Sequence, residues 1–260
     1  MLFAQHHIDR WFHLSVAEKQ GYKPSHSTMT YTGRKPGGVL AFIIIAFASL
    51  MTTPCHGSGV ELNARFLQQV EKKYGLNAKS RVIEWNRTIK NNLQLNVIEK
   101  IEVVNDFFNR LPYGTDLRNW KRNDYWATPI EALGKQSADC EDYTIAKYIT
   151  LREMGVPVKR LRIVYLLSDL IVSRKPHVAL AYYEHEDATP LILDNYIKEV
   201  LPASRRSDIK PIYSFNEENI WWTVDRWQGR KLASSSIIKE WSEMRKRWHQ
   251  QSVEMVRTNI

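Results

Sequence analysis

The chain has 260 residues, with 37 Lys plus Arg against 28 Asp plus Glu, a formal net charge of +9. At 43% hydrophobic and 25% charged, with 11 Gly and 10 Pro, it is not a disordered chain, a collagen-like repeat or a multi-span membrane protein. Two cysteines, Cys55 and Cys140, exclude a disulfide scaffold and a zinc site built from several thiolates.

In chain order, the first feature is an apolar run over 39–51, preceded by Arg34 and Lys35. It is shorter than the roughly 20 residues of a membrane span and fits the apolar core of a secretory signal. Ala46 and Ala48 offer a cleavage motif. The run starts far from Met1, and a start at Met29 would restore the usual layout. An uncleaved anchor is the competing reading. Residues 1–54 are therefore expected to be an extension with a signal or anchor segment, and 55–260 a single domain. His6, His7, His13 and His26 lie upstream of the run and would not reach an exported active site. Cys140 is then the one cysteine certain to lie in the folded body.

The helical part of that domain is expected over 60–111. Leu62, Phe66, Val70 and Tyr74 share one face over 61–74, and Gly75 is a stop signal. Val82, Trp85 and Ile89 mark a second helix over 80–92. Ile98, Ile101, Val104 and Phe108 mark a third over 94–110. Residues 112–138 are rich in Asn, Asp, Trp and Tyr and read as a long functional loop. A helix then opens at Cys140, with Asp139 or Ala138 at its cap, and ends by Gly155 and Pro157. Alternation predicts strands over 160–167, 177–183 and 190–195, with a further one over 220–224. Short connections favour an antiparallel sheet. The catalytic core is expected over 112–230 and a C-terminal helix over 236–257. In that tail Ile237, Ile238, Trp241, Met244, Trp248 and Met255 form an apolar stripe. Its basic run, Arg245, Lys246 and Arg247, reads as the solvated face opposite, so no nucleic-acid partner is expected. The class is α+β.

Three polar residues stand against apolar surroundings. Cys140 opens a helix, His177 begins one strand and Asp194 ends the next. In an antiparallel hairpin those two strand ends lie side by side. A helix N-terminus aimed at that edge brings sulfur to imidazole, the arrangement of thiol acyl transfer. Taken singly, each has a plain structural reading: a buried thiol, a structural histidine, a turn aspartate. His185, in a polar turn, and His249, on the tail helix, are poor competitors. Asp139, Glu141 and Asp142 crowd the thiol with negative charge, which raises its pKa. Either they serve as ordinary first-turn acids, or they supply oxygen ligands to a hard cation such as Ca²⁺.

The blocks 139–148, 177–183 and 191–195, in this order, resemble the bacterial transglutaminase-like cysteine proteinase family, of the LapG type. The resemblance runs from about residue 60 to about residue 245. It implies a papain-like or transglutaminase-like core and a periplasmic endoproteinase. By position, Cys140 is the nucleophile, His177 the general base and Asp194 its orienting acid. Asp139, Glu141 and Asp142 match the family's calcium-linked acids. The resemblance further implies a substrate, the N-terminal region of a large repeat adhesin cut at a paired-alanine site, whose release disperses a biofilm. It also implies an inhibitor, the periplasmic domain of an inner-membrane cyclic-di-GMP receptor. A transglutaminase or amidase using the same triad remains an alternative, as does a non-catalytic binding module on this fold.

Overall fold

The computed structural model describes residues 62–171, 176–225 and 227–256. The apolar run 39–51, its cleavage motif, Met29, Cys55 and the four upstream histidines lie outside the described residues. No helix among the described residues is long and apolar enough to cross a membrane.

The first two helices are α1 (Ala64–Tyr74) and α2 (Leu76–Asn91). Asn63 caps α1, its side chain accepting from the Phe66 amide at 2.8 Å. Gly75, at φ +92°, reverses the chain in a single residue, so α2 begins at 76 and not at the expected 80. The third helix, α3 (Val97–Asn109), starts on a capping box between Asn96 and Glu99. Ile101, Val104 and Phe108 are buried as expected, but Ile98 is exposed. At 100° per residue it falls at the edge of the stripe those three define.

The stretch 112–138, expected to be irregular, holds two short helices, α4 (Asp116–Trp120) and α5 (Pro129–Lys135). Thr115 caps the first. A capping box between Thr128 and Glu131, with proline at the first helical position, starts the second. Helix α6 (Cys140–Glu153) follows, capped by Asp139 as expected.

The chain then builds one antiparallel sheet. Strands β1 (Leu161–Ser168), β2 (Pro176–Tyr182) and β3 (Leu191–Leu193) match the expected ones. Next come β4 (Leu201–Pro202), β5 (Ile209–Phe215), β6 (Asn219–Asp225) and β7 (Gln228–Ser234). Of these, only β6 is legible as a strand. Pro211 interrupts the β5 pattern, and the next residue, Ile212, is left out of the pairing where the register with β1 shifts between Tyr165 and Leu166. The strand order is β4-β3-β2-β1-β5-β6-β7.

Helix α6 is buried from Asp142 to Leu151, packed between the sheet at β1 and β2 and the helices α3 and α5. An aromatic column joins the layers. Tyr165 and Tyr213 stack at 4.8 Å, and Trp241 meets Phe215 edge-on at 5.4 Å. Trp241 belongs to the last helix, α7 (Lys239–Val256), whose Trp241, Met244 and Met255 are buried. Ile237 departs from the expected stripe: it sits exposed in a 3-10 turn ahead of the helix. The Asn63 amide donates to Met255 O at 3.0 Å, closing α7 back onto the start of α1.

Gly134 in α5 lies where an added Cβ would meet the Tyr74 ring at 2.7 Å. Gly134→Ala should therefore cost about 1–3 kcal/mol. A urea titration would show this as a lower midpoint with an unchanged slope.

Candidate active site

The helix cap places Cys140 at the first position of α6, partly exposed, as a free thiol. One turn later Thr144 donates its hydroxyl to Val178 O at 3.1 Å, which locks the helix onto β2 beside His177. The Val178 amide in turn donates toward the Cys140 sulfur. His177 Nε2 lies 2.8 Å from Asp194 Oδ1, and the two side chains are 1% and 0% exposed. Asp194 follows β3 directly, so the hairpin of β2 and β3 brings the two residues together. With Nε2 committed to the carboxylate, Nδ1 is buried and has no hydrogen-bond partner among the described residues. The Tyr196 ring meets the His177 ring edge-on at 4.8 Å. The negative charges of Cys140, Asp194 and Glu141 all act to raise the Tyr196 hydroxyl pKa, after the effect of burial.

Asp194 is strongly anchored. Burial pushes its carboxyl up, but the hydrogen bond and charge of His177, the Tyr196 amide and Arg206 outweigh burial and hold it well below the usual range. Its carbonyl accepts from Lys147 Nζ at 3.0 Å and Asn109 Nδ2 at 2.9 Å.

The other side of Cys140 is short of positive charge. Asp116, Asp139 and Asp142 offer oxygens that all lie within 4.8 Å of one another. Asp116 Oδ2 accepts from the Tyr125 amide at 2.7 Å, and Asp142 Oδ1 from the Ala127 amide at 2.6 Å. Asp116 Oδ1 and Asp142 Oδ2 are buried without a hydrogen-bond partner among the described residues. Burial first, and then the negative charge of Glu141 among others, raises all three carboxyls, Asp116 to about 7. Two orphaned carboxylate oxygens in such a cluster fit a hard divalent cation.

Glu141 is not part of that cluster. Its carboxylate accepts from the Cys140 thiol at 2.9 Å. Burial, the charges of Glu141 and Asp139 and this bond push the thiol pKa well up. Of the sequence-derived acids, Asp139 and Asp142 thus come together with Asp116, while Glu141 faces the sulfur.

A family model described as "bacterial transglutaminase-like cysteine proteinase BTLCP" matches residues 76–228, more than half of the chain. The chain belongs to this family. It is similar to the solved structure of Legionella pneumophila LapG at 33% identity and a TM-score of 0.61, over 70% of this chain and 94% of that one. The EGTA-treated form of LapG matches at 34% and 0.62, over 72% and 98%. The calcium-bound form matches at 35% and 0.60, over 71% and 98%. No curated protein matches the chain. The α+β architecture is that of these transglutaminase-like structures.

Two residues of the site escape sequence reasoning. Asp116 sits in the stretch read as loop, and its one signal was Thr115, a cap residue that puts an acid in a first turn. Arg206 falls between two strands that are hard to read, within a pair of arginines that looks like surface charge.

A carboxyl raised in the folded state contributes stability below its unfolded pKa of about 3.9, and that stability is lost as pH rises through the folded value. Cation-free protein should therefore lose thermal stability between pH 4 and the Asp116 value of about 7. Asp116→Asn should flatten that slope in scanning calorimetry. An equally steep slope in the variant would count against the cluster as its source.

Proposed function

We propose that the chain is a calcium-dependent cysteine endoproteinase working in the periplasm. In this reading Cys140 is the nucleophile, His177 moves the proton and Asp194 orients the imidazole. The observation that carries it is the buried His177–Asp194 bond of 2.8 Å, which fixes Nε2–H on the carboxylate and leaves Nδ1 to exchange a proton with a thiol.

Nδ1 takes the Cys140 proton, and the sulfur attacks the scissile carbonyl carbon. A carbon–sulfur bond forms as the carbonyl π pair moves to oxygen. The Cys140 amide, first in its helix and without an intrahelical acceptor, can donate to that oxygen. Collapse breaks the carbon–nitrogen bond, Nδ1–H protonates the leaving amine, and a thioester remains. Water, giving its proton to Nδ1, hydrolyses the thioester and restores the thiol.

The acids tell against an easily formed thiolate. Asp116, Asp139 and Asp142 would hold calcium, and the similar LapG has been solved with that ion bound. When bound it supplies positive charge beside Cys140 that offsets the surrounding carboxylates. Glu141 joins the calcium-linked acids on the family resemblance.

The same resemblance supports the N-terminal region of a large repeat adhesin as substrate, cut to disperse a biofilm. It also supports the periplasmic domain of an inner-membrane cyclic-di-GMP receptor as inhibitor. The basic-then-apolar run at 34–51 supports export.

Purified protein incubated with the N-terminal fragment of such an adhesin should cut it. EGTA should stop the reaction and added calcium restore it. Asp194→Asn should lower kcat/KM by about 10²–10⁴-fold. Cleavage by Cys140→Ala would remove the nucleophile assignment, and full turnover in excess chelator would remove calcium. Incorporation of an added amine in place of cleavage would favour the transglutaminase reading.

A further inference from the structure

Asp194 spends only one oxygen on His177. Oδ1 accepts from His177 Nε2 at 2.8 Å and from the Tyr196 amide at 3.0 Å. Oδ2 accepts from Arg206 Nη2 at 2.8 Å. Arg206 is itself held by Asp208, with Nε to Oδ1 and Nη2 to Oδ2 both at 2.8 Å. The Arg206 side chain is 1% exposed. The segment between β4 and β5 must cross from the sheet edge to the far side of β1, because β5 pairs with β1 while β4 pairs with β3. Arg206 lies on that crossing, just after the 3-10 turn Ala203–Arg205.

We propose that Arg206 is a positioning residue for the reaction: clamped by Asp208, it fixes the Asp194 carboxylate that orients His177. This deepens the proteinase reading and rests on it. The array runs from imidazole through carboxylate and guanidinium to a last carboxylate at Asp208.

Two physical arguments support the assignment. A carboxylate turns readily about its last torsion, and a partner on one oxygen leaves that freedom. A charged donor on the second oxygen removes it, so the imidazole plane is set from behind. The second argument concerns charge. The imidazole alternates between neutral and cationic forms during turnover, so it balances Asp194 only part of the time. A guanidinium stays charged throughout and supplies a permanent counter-charge to a buried acid. The planar fork explains why arginine stands here, since it reaches two carboxylates in fixed geometry where an ammonium is a point charge.

The charged and titratable groups facing Asp194 are His177 from β2, Tyr196 beyond β3, Lys147 from α6, and Arg206 with Asp208 from the β4–β5 crossing. Asp106 of α3 acts on Lys147. Of these, Arg206 is the permanent cation bonded to the carboxylate. Its loss removes a positive charge from beside the His177–Asp194 pair, which favours protonation of the pair as a unit and so moves the acid limb of the pH–rate profile upward.

The test compares Arg206→Gln, Arg206→Lys and Asp208→Asn with the unmodified protein in saturating calcium, using cleavage of the adhesin fragment. Arg206→Gln should lower kcat by about 10- to 100-fold, with KM within about threefold. Its acid limb should move up by about one pH unit or more. Arg206→Lys should restore the acid limb but recover only part of kcat. Asp208→Asn, at a partly exposed side chain, should move both in the same direction by less, and carries the test if Arg206→Gln does not fold. A readout independent of turnover is the downfield proton resonance of the His177–Asp194 bond, which should broaden or shift in Arg206→Gln. This separates the proposal from the proteinase reading, because it needs no substrate. A folded Arg206→Gln protein with unchanged resonance and unchanged acid limb would overturn the assignment, as would an Arg206→Lys protein with no recovery of the limb.

Discussion

Helix α6 is buried along almost its whole length, and that constraint organises the molecule around it. Its first turn carries Asp142 fully buried and Cys140 and Glu141 half-buried, where water screens them little. Charge there must be balanced by protein groups or by an ion. The two sides of the site meet that need differently. Asp194 is surrounded by donors, with His177, Arg206 and the Tyr196 amide on its carboxylate and Lys147 and Asn109 on its carbonyl. The aspartates on the other side have backbone amides and one another, and two of their oxygens have no hydrogen-bond partner among the described residues. Asp194 finds its counter-charges within the protein, whereas in the proposed reading the cluster takes its own from a cation.

What the sequence disclosed follows from how local each signal is. The Cys140 helix was legible because a cap, a run of good helix formers and a Gly–Pro stop all lie within one window. The His177–Asp194 pairing was legible because a hairpin brings together residues close in sequence. Asp116 and Arg206 were not legible, since each reaches the site only after the chain has turned back across another layer. The strand β5 was hidden by Pro211, beside which Ile212 bulges out of the pairing with β1. The strand β7 was hidden by its polar composition. Glu141 follows Cys140 in the chain, and the thiol bond its carboxylate accepts is a contact that spacing alone does not reveal.

The basic tail also proved more than a solvated face. Arg245 and Lys246 are exposed, but Arg247 turns inward. It donates to Trp126 O at 2.5 Å, approaches Glu131 at 3.4 Å and lies over the Tyr125 ring at 4.4 Å. Those contacts hold the segment whose amides, at Tyr125 and Ala127, bind Asp116 and Asp142. Thr128 adds a bond to Gln251 at 2.7 Å. The last helix of the chain therefore braces the acidic cluster from outside, through backbone it touches only at its rim.

Lys147 has a use in the laboratory as well as in the fold. Burial lowers its ammonium to about 7, against the attraction of Asp194 and Asp106. The side chain, sealed between the helix and the sheet, thus gives up its proton more readily than a surface lysine does. An acylating reagent can reach it only when α6 parts from its neighbours, so the rate of its modification would time those openings.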